Sequence, residues 1–433
     1  MSIYGALFTG VSGLNANSRA LSNTSTNIAN INTVGYKETQ NQFSTLLAEN
    51  VGVGQFTSGG VKAVPVQRIS AQGEITQTTV PTDLAVSGNG FFVVTSTPNA
   101  DPTVSQLSYT RAGDFQKNSD GFLRNAAGYY LQGWKLDANG NVPSNPADVE
   151  AIDLGKITGT AEATSTASLR LNLQSTATAA AGYAAGDMTA GTATPQYQTG
   201  MSVFDSQGGS QPLRFSFIKT GANAWSYEVN YDGDPANIGG AGNNPIATGD
   251  LTFNSDGTIA TPAAAVSITI PWAAASGLTP QDVSFNLGTP AAADGLTQYD
   301  AASTLYATDT NGALFGALTG VRVDGDGRVI AQFDNGIEKP IYQLPIATFL
   351  NADGLRALDG NAYASSVESG DVSLKQANQG GAGAVQSSAL EQSTVDLAKE
   401  FSDMIIIQRA YSAASKIITT ADEMLDELTR LKR

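Results

Sequence analysis

The chain has 433 residues, long enough for two or three domains with cores of their own. Its 23 basic and 39 acidic side chains leave a net charge of -16, which argues against nucleic acid or an anionic membrane surface as a partner. Neither Cys nor His occurs, so disulfides, thiolate nucleophiles, Ser-His-Asp and Cys-His arrangements and the usual zinc ligand sets are excluded.

At the start, Leu7, Leu14, Leu21 and Ile28 recur every seven residues, with Tyr4 and Val11 on the adjacent position and no Pro before Pro65. The pattern predicts a helix over residues 2–30 with a narrow apolar seam, because Asn17, Ser18, Thr24 and Ser25 stand where further apolar neighbours would fall. Arg19 is the first basic residue, so the charged start of a cleaved secretory signal is missing, and no apolar run reaches the roughly 18 residues of a membrane span. Asn27, Asn30, Asn32, Thr33 and Gly35 then read as a helix stop followed by extended chain. Residues 38–79 are polar and Gly-containing, an ordered linker or short hairpin region.

From Asp83 the sequence turns to strands: LAVSGNGFFVV holds two apolar runs about a Ser-Gly-Asn-Gly turn. An apolar run, a polar turn ending in Gly and a second apolar run recur at residues 115–123, 136–142, 251–259 and 321–329, which is hairpin grammar. Between about residues 157 and 310 the composition shifts to Ala, Thr, Gly and Ser, suggesting a β domain inserted in the first. QANQGGAGAVQ, residues 376–386, reads as a flexible hinge.

The last forty residues predict a long helix. Three heptad series run in parallel: Met404, Tyr411, Ile418, Leu425; Ala410, Ile417, Met424, Leu431; and Ile407, Ala414, Ala421, Leu428. Ser393, three residues before Asp396, is the expected N-cap, and no Gly or Pro follows Ala384. The expected fold is therefore mixed α and β and multidomain, with paired terminal α-helices in a coiled-coil-like seam and two nested all-β domains between them. The expected boundaries are 1–30 with 390–433 for the helices, 31–80 for a linker or hinge region, 81–156 with 311–375 for an inner β domain, 157–310 for an outer β domain and 376–389 for a hinge. Because both helices are polar-rich, they are expected to need neighbours to be stable, and a stripe left open on a long helix points to other copies of the chain.

No catalytic, cofactor-binding or metal-ligating residue is assigned. A Walker loop and a nucleophile elbow are absent from the sequence. Asp324-Gly325-Asp326-Gly327 fails as a calcium loop, since Arg328 and Asn335 occupy positions that need ligands, and it reads as a tight turn. Gly88-Asn89-Gly90 is a turn with no helix after it to cradle a phosphate.

Three stretches carry a resemblance to a known family: residues 12–37, SGLNANSRALSNTSTNIANINTVGYK; residues 83–134, with DLAVSGNGFFVV, YTRAGDFQKNSDGFL and GYYLQGW; and residues 390–425, LEQSTVDLAKEFSDMIIIQRAYSAASKIITTADEML. In order and spacing they resemble the bacterial flagellar axial proteins, the rod and hook subunits. Gln392-Ser393-Thr394 and Ser412-Ala413-Ala414 depart from the usual pattern in capping detail. The resemblance implies a helical homopolymer outside the cell, exported without a cleaved signal, and a tube that joins rod to filament and passes torque while bending. Distal rod, hook cap and hook–filament junction proteins are the implied partners, with no nucleic acid and no membrane insertion. The large central insert favours a hook subunit over a distal rod subunit, and a secreted adhesin or carbohydrate-binding β protein is the other alternative. The candidate polymerisation seam is Leu7, Val11, Leu14, Leu21, Ile28, Met404, Ile407, Tyr411, Ile417, Ile418, Leu425 and Leu428, with hinges at Gly35, Gly380, Gly381 and Gly383.

Overall fold

The computed structural model describes residues 3–47, 58–98, 107–137, 140–157 and 159–431. The chain divides into two compact units, one of residues 1–157, 320–332 and 338–433, the other of residues 158–319 and 333–337.

In the first unit, helix α1 (Ile3–Ala29) runs antiparallel to helix α2 (Leu397–Leu431). The stretch after α1, expected as an ordered linker or short hairpin, is a hairpin of strands β1 (Thr39–Leu47) and β2 (Ser58–Gln67), paired from Thr39 with Gln67 to Leu46 with Gly60. It lies along α1, held by the Ser12 hydroxyl, which accepts from the Val61 amide at 3.2 Å, and by Asn27, whose side chain both donates to the Thr39 carbonyl and accepts from its amide. The alternation of Val64 and Val66 is weak in the sequence because α1 covers only one face of the ribbon and small residues such as Ala63 fill it.

Strands β3 (Ile75–Gln77), β4 (Leu84–Ser87) and β5 (Phe91–Thr95) follow. The turn at Gly88–Gly90 is a corner rather than a hairpin: β4 pairs with Ala384–Ser387, while β5 enters the large sheet between Tyr130–Lys135 and Ser108–Thr110. All of β5 is buried, and its side chains alternate between two cores, Phe92 and Val94 with Leu84, Phe115 and Ile346 on one face, Phe91 and Val93 with Ile69, Tyr109 and Tyr363 on the other. That double burial explains an unbroken apolar run in an antiparallel sheet.

The second unit is a sandwich of two sheets around one core. A five-stranded antiparallel meander runs from Tyr197–Phe204 to Ile259–Thr261. In the other sheet Thr166–Asn172 pairs in parallel with Gln281–Asn286 and Leu296–Thr297 and antiparallel with Thr304–Thr310. Leu169, Leu171, Phe215, Phe217, Trp225 and Phe285 meet between them. This unit runs past the expected boundary at 310, because Ala313–Gly316 pairs with Thr160–Glu162, and Asn335 donates to the carbonyls of Thr160 and Leu314. Phe215→Ala should therefore lower the stability of this unit by about 3–5 kcal/mol, read as an earlier denaturant transition in Trp225 fluorescence with helical circular dichroism retained.

Candidate assembly surface and the clasp behind it

The two helices meet through small residues. A Cβ on Gly10 would stand 2.9 Å from Ile418 Cγ1 and 3.6 Å from the Ala414 carbonyl oxygen, so only Gly admits this approach without displacing Ile418. Ala16, Ala20, Thr24 and Asn27 continue the buried side of α1 toward α2 and the hairpin, and Glu400, Ile407, Ala414 and Ala421 form the buried line of α2. One of the three predicted α2 series thus faces inward, but the inward side of α1 is the small and polar one.

The residues read as one seam consequently fall into two groups. Ile407 is buried, and Met404, Ile418 and Leu425 are half-buried along the same line of α2. Leu7, Leu14, Leu21 and Ile28 are only half-buried, on the flank of α1, while Val11, Tyr411 and Ile417 are exposed. The Leu428 side chain lies outside the described residues. Leu397, Phe401, Ile405, Ile406 and Met424 are exposed as well, although the seam assignment omitted them. Such an apolar surface on a long helix pair is larger than scattered surface residues account for.

The start of α2 also differs from expectation. The Asp396 carboxylate, not Ser393, accepts from the amides of Ala398 and Lys399 at 2.9 and 3.2 Å, and the Asp396 carbonyl takes the first helical bond from Glu400. Ser393 instead accepts from Val395. Between the helices the buried Glu400 carboxylate accepts from Asn27 Nδ2 at 2.8 Å, and Lys399 pairs with Glu38 at 2.7 Å. Burial pushes the Glu400 carboxyl above its usual range, with Glu38 adding to the effect and Asn27, Thr24 and Lys399 opposing it.

Behind the helix ends lies a cluster that no sequence signal announced. Glu391 is fully buried; its Oε1 accepts from Lys37 Nζ and from the Gly73 amide at 2.7 Å, and its Oε2 from Arg111 at 3.0 Å. Lys37 also donates to the Ala71 carbonyl at 2.5 Å, and Arg111 donates to the carbonyls of Val86 and Gly88 and sits over the Phe91 ring. Burial pulls the Lys37 ammonium below the ordinary lysine range, against the opposing pull of Glu391. Alongside, the Gly35 amide donates to the Glu391 carbonyl, the Thr394 amide to the Tyr36 carbonyl and the Glu38 amide to the Thr394 hydroxyl.

These contacts correct the hinge assignments. Gly35 has φ +68°, and a Cβ there would stand 2.7 Å from the Ala112 amide nitrogen, so the segment after α1 is packed against other backbone. Residues 376–389 are not a free linker. Gly380 and Gly381 take positive φ in a turn closed by Lys375 donating to the Gly380 carbonyl. Gly383 then lies where a Cβ would be 2.4 Å from the Ser87 carbonyl, and Ala384–Ser387 joins β4 with Val385 in the core. The low complexity of this stretch reflects close backbone approach, not looseness.

The groups that could suggest chemistry are spent on turns. Asp324 accepts from the amides of Asp326 and Arg328, and among the described residues no cluster of three or more acidic side chains could hold a metal ion. No helix among them is long and apolar enough to cross a membrane.

Two outcomes follow. Glu391→Gln leaves Lys37 and Arg111 buried against an amide and should cost about 3–5 kcal/mol, measured as a lower denaturation midpoint of the first unit. For Glu400 the raised folded-state value means that its contribution to stability is greatest at acid pH and is lost as pH rises through that value. Glu400→Gln keeps an acceptor for Asn27 without the charge, so melting from about pH 4 to about pH 7 should show the variant gaining on the parent chain as pH rises. A constant difference would contradict the assignment.

Family models match four parts of the chain: the flagella basal body rod protein at residues 7–37, the flagellar hook protein FlgE/F/G D1 domain at 85–159, the flagellar basal body protein FlaE D2 domain at 172–313, and the flagellar basal body rod FlgEFG protein C-terminal at 386–431. The chain is 34% identical to the flagellar hook protein FlgE of Caulobacter vibrioides and 36% identical to that of Brucella abortus, in both cases over 100% of each chain. It is 30% identical to the flagellar hook protein FlgE of Escherichia coli, over 98% of each chain. With identity above three-tenths along its whole length to two hook proteins, and hook and rod models matching both terminal segments and much of the chain between, this chain belongs to the flagellar hook protein FlgE family.

Proposed function

We propose that the chain is a structural subunit that polymerises into the flexible tube of the flagellar hook and passes torque from rod to filament in bacterial motility. It works outside the cell, as part of the flagellum. Its main partner is itself, and at the ends of the tube it meets distal rod, hook cap and hook–filament junction proteins. No catalysis is assigned: the chain lacks His and Cys, and its carboxylates serve turns, caps and internal ion pairs.

The observation that carries this reading is the helix pair. Each helix covers one side of the other and leaves an apolar stripe in water, from Tyr4 and Val11 on α1 to Ile406, Ile417 and Met424 on α2. Burying one such side chain contributes roughly 1.5–3 kcal/mol, and in a polymer the gain is repeated for every subunit. The clasped entries to both helices suit a part that must carry load, since they couple the helix pair to the β core without a slack joint.

Leu14→Asp tests the reading. Because Leu14 is half-buried, the monomer should stay folded at a cost of about 1–2 kcal/mol, while electron microscopy of the purified variant should show no tubes under conditions where the parent chain forms them. Normal tubes from the variant would show that assembly energy does not reside in this stripe.

A further inference from the structure

We propose that neighbouring copies join through two different faces of the helix pair, the Leu7–Val11–Leu14–Leu21–Ile28 stripe of α1 on one copy meeting an Ile406–Ala410–Ala413–Ile417–Thr420–Met424 stripe of α2 on the next. The proposal rests on the polymer reading above and specifies its contact. On α2 these six positions follow a spacing of four, three, four, three and four, the a/d rhythm of a second coiled-coil seam. They lie about a quarter turn from the buried line of Ile407, Ala414 and Ala421. Ile406, Ile417 and Met424 are 64%, 49% and 53% exposed.

Charge identifies the occupant. Helix α1 is 27 residues long and Arg19 is its only charged residue. A helix face meant for water carries charges, whereas one enclosed by protein avoids the desolvation cost of burying them. α2 and the hairpin cover α1 on two sides, and on the third side the stripe from Tyr4, 73% exposed, to Ile28 is apolar apart from Ser18 and Ser25. The matching surface is on the same chain. The α1 stripe spans roughly 36 Å and the α2 stripe roughly 27 Å at 1.5 Å per residue, and the α2 stripe is itself uncharged.

The two stripes face opposite ways. Phe43 of the hairpin and Ile406 line one groove, so the α2 stripe opens on the hairpin side of the pair. On α1 the residues bonded to the hairpin are Ser12, Asn23 and Asn27, and the apolar stripe lies on the far side from them. Two unlike faces on opposite sides make a heterologous contact, which repeats head to tail and stays open-ended instead of closing as a symmetric dimer. A second copy on the α1 stripe leaves its own α1 stripe free for a third.

The absence of Cys makes the test direct. Val11→Cys is combined in the full-length chain with each of Ile406→Cys, Ala410→Cys, Ala413→Cys, Ile417→Cys, Thr420→Cys and Met424→Cys in turn, and the assembled chains are oxidised. Neighbouring stripe positions are about 5 Å apart along the helix, and a disulfide needs Cα atoms within about 7 Å, so at least one pair should give a ladder of covalent dimers, trimers and higher species. Val11→Cys with Ser415→Cys, exposed and about half a turn around α2 from the stripe, should give none. A second arm avoids any dependence on the cysteine variants assembling. Val11→Asp and Ile417→Asp each remove one face, so each chain alone should stay monomeric in sedimentation, while their mixture should form dimers that grow no further, since each chain keeps the face the other lacks. Tubes of the cysteine variants without a ladder, a ladder equally strong from Ser415→Cys, or no association in the mixture would overturn the pairing while leaving the polymer reading intact. Failure of the parent chain to form tubes would count against that reading itself.

Discussion

The first unit depends on a single buried carboxylate. Glu391 compensates two buried cations, Lys37 and Arg111, and these three residues with the backbone they engage come from five places in the chain: residues 35–37, 71–73, 86–88, 111 and 391. A buried ion pair adds little net stability over a well-packed apolar cluster, but removing one member is costly because a charge is stranded. The cluster therefore works as a register device. It favours the one arrangement of the end of α1, the approach to α2 and the β core seen here, because separating them would leave a charge without its partner.

That device accounts for the close packing of the segments leading to the helices. The chain leaves α1 through Gly35 and Tyr36, enters α2 through Glu391 to Asp396, and the two paths are bonded to each other over several residues. In a mechanical subunit a loose connection would absorb torque, whereas a joint held by buried, paired charges passes it on. Glycine in these segments permits backbone to approach backbone, as Gly35 does at Ala112 and Gly383 at Ser87. At both sites a side chain in place of the glycine would meet backbone within 3 Å.

Within the helix pair the division of labour follows side-chain size. Glycine, alanine and threonine on the inward side of α1 bring it close to α2 and use little apolar surface. The larger side chains are displaced to the flanks. A pair built with leucine inward would bury more area inside one chain and leave less to drive association. The arrangement seen uses little apolar area within the chain and leaves the larger apolar side chains on the flanks, where copies of the chain would cover them in the proposed tube.

Much of this was legible in the sequence. Two heptad-patterned ends, turn-rich strands between them and an Ala/Thr-rich insert were readable because period, turn chemistry and composition are local properties. One inward line of α2, Ile407, Ala414 and Ala421, was also readable from its spacing. Tertiary structure alone decided which side of α1 faces inward, because a leucine heptad looks the same whether its partner is in the same chain or another, and the small stripe carries no hydrophobic signal. It alone decided that β4 and β5 part at their shared turn, since strand pairing is a long-range choice. It alone assembled Lys37, Arg111 and Glu391, which are separated by up to 354 residues and look like ordinary surface charges until the fold removes the water around them.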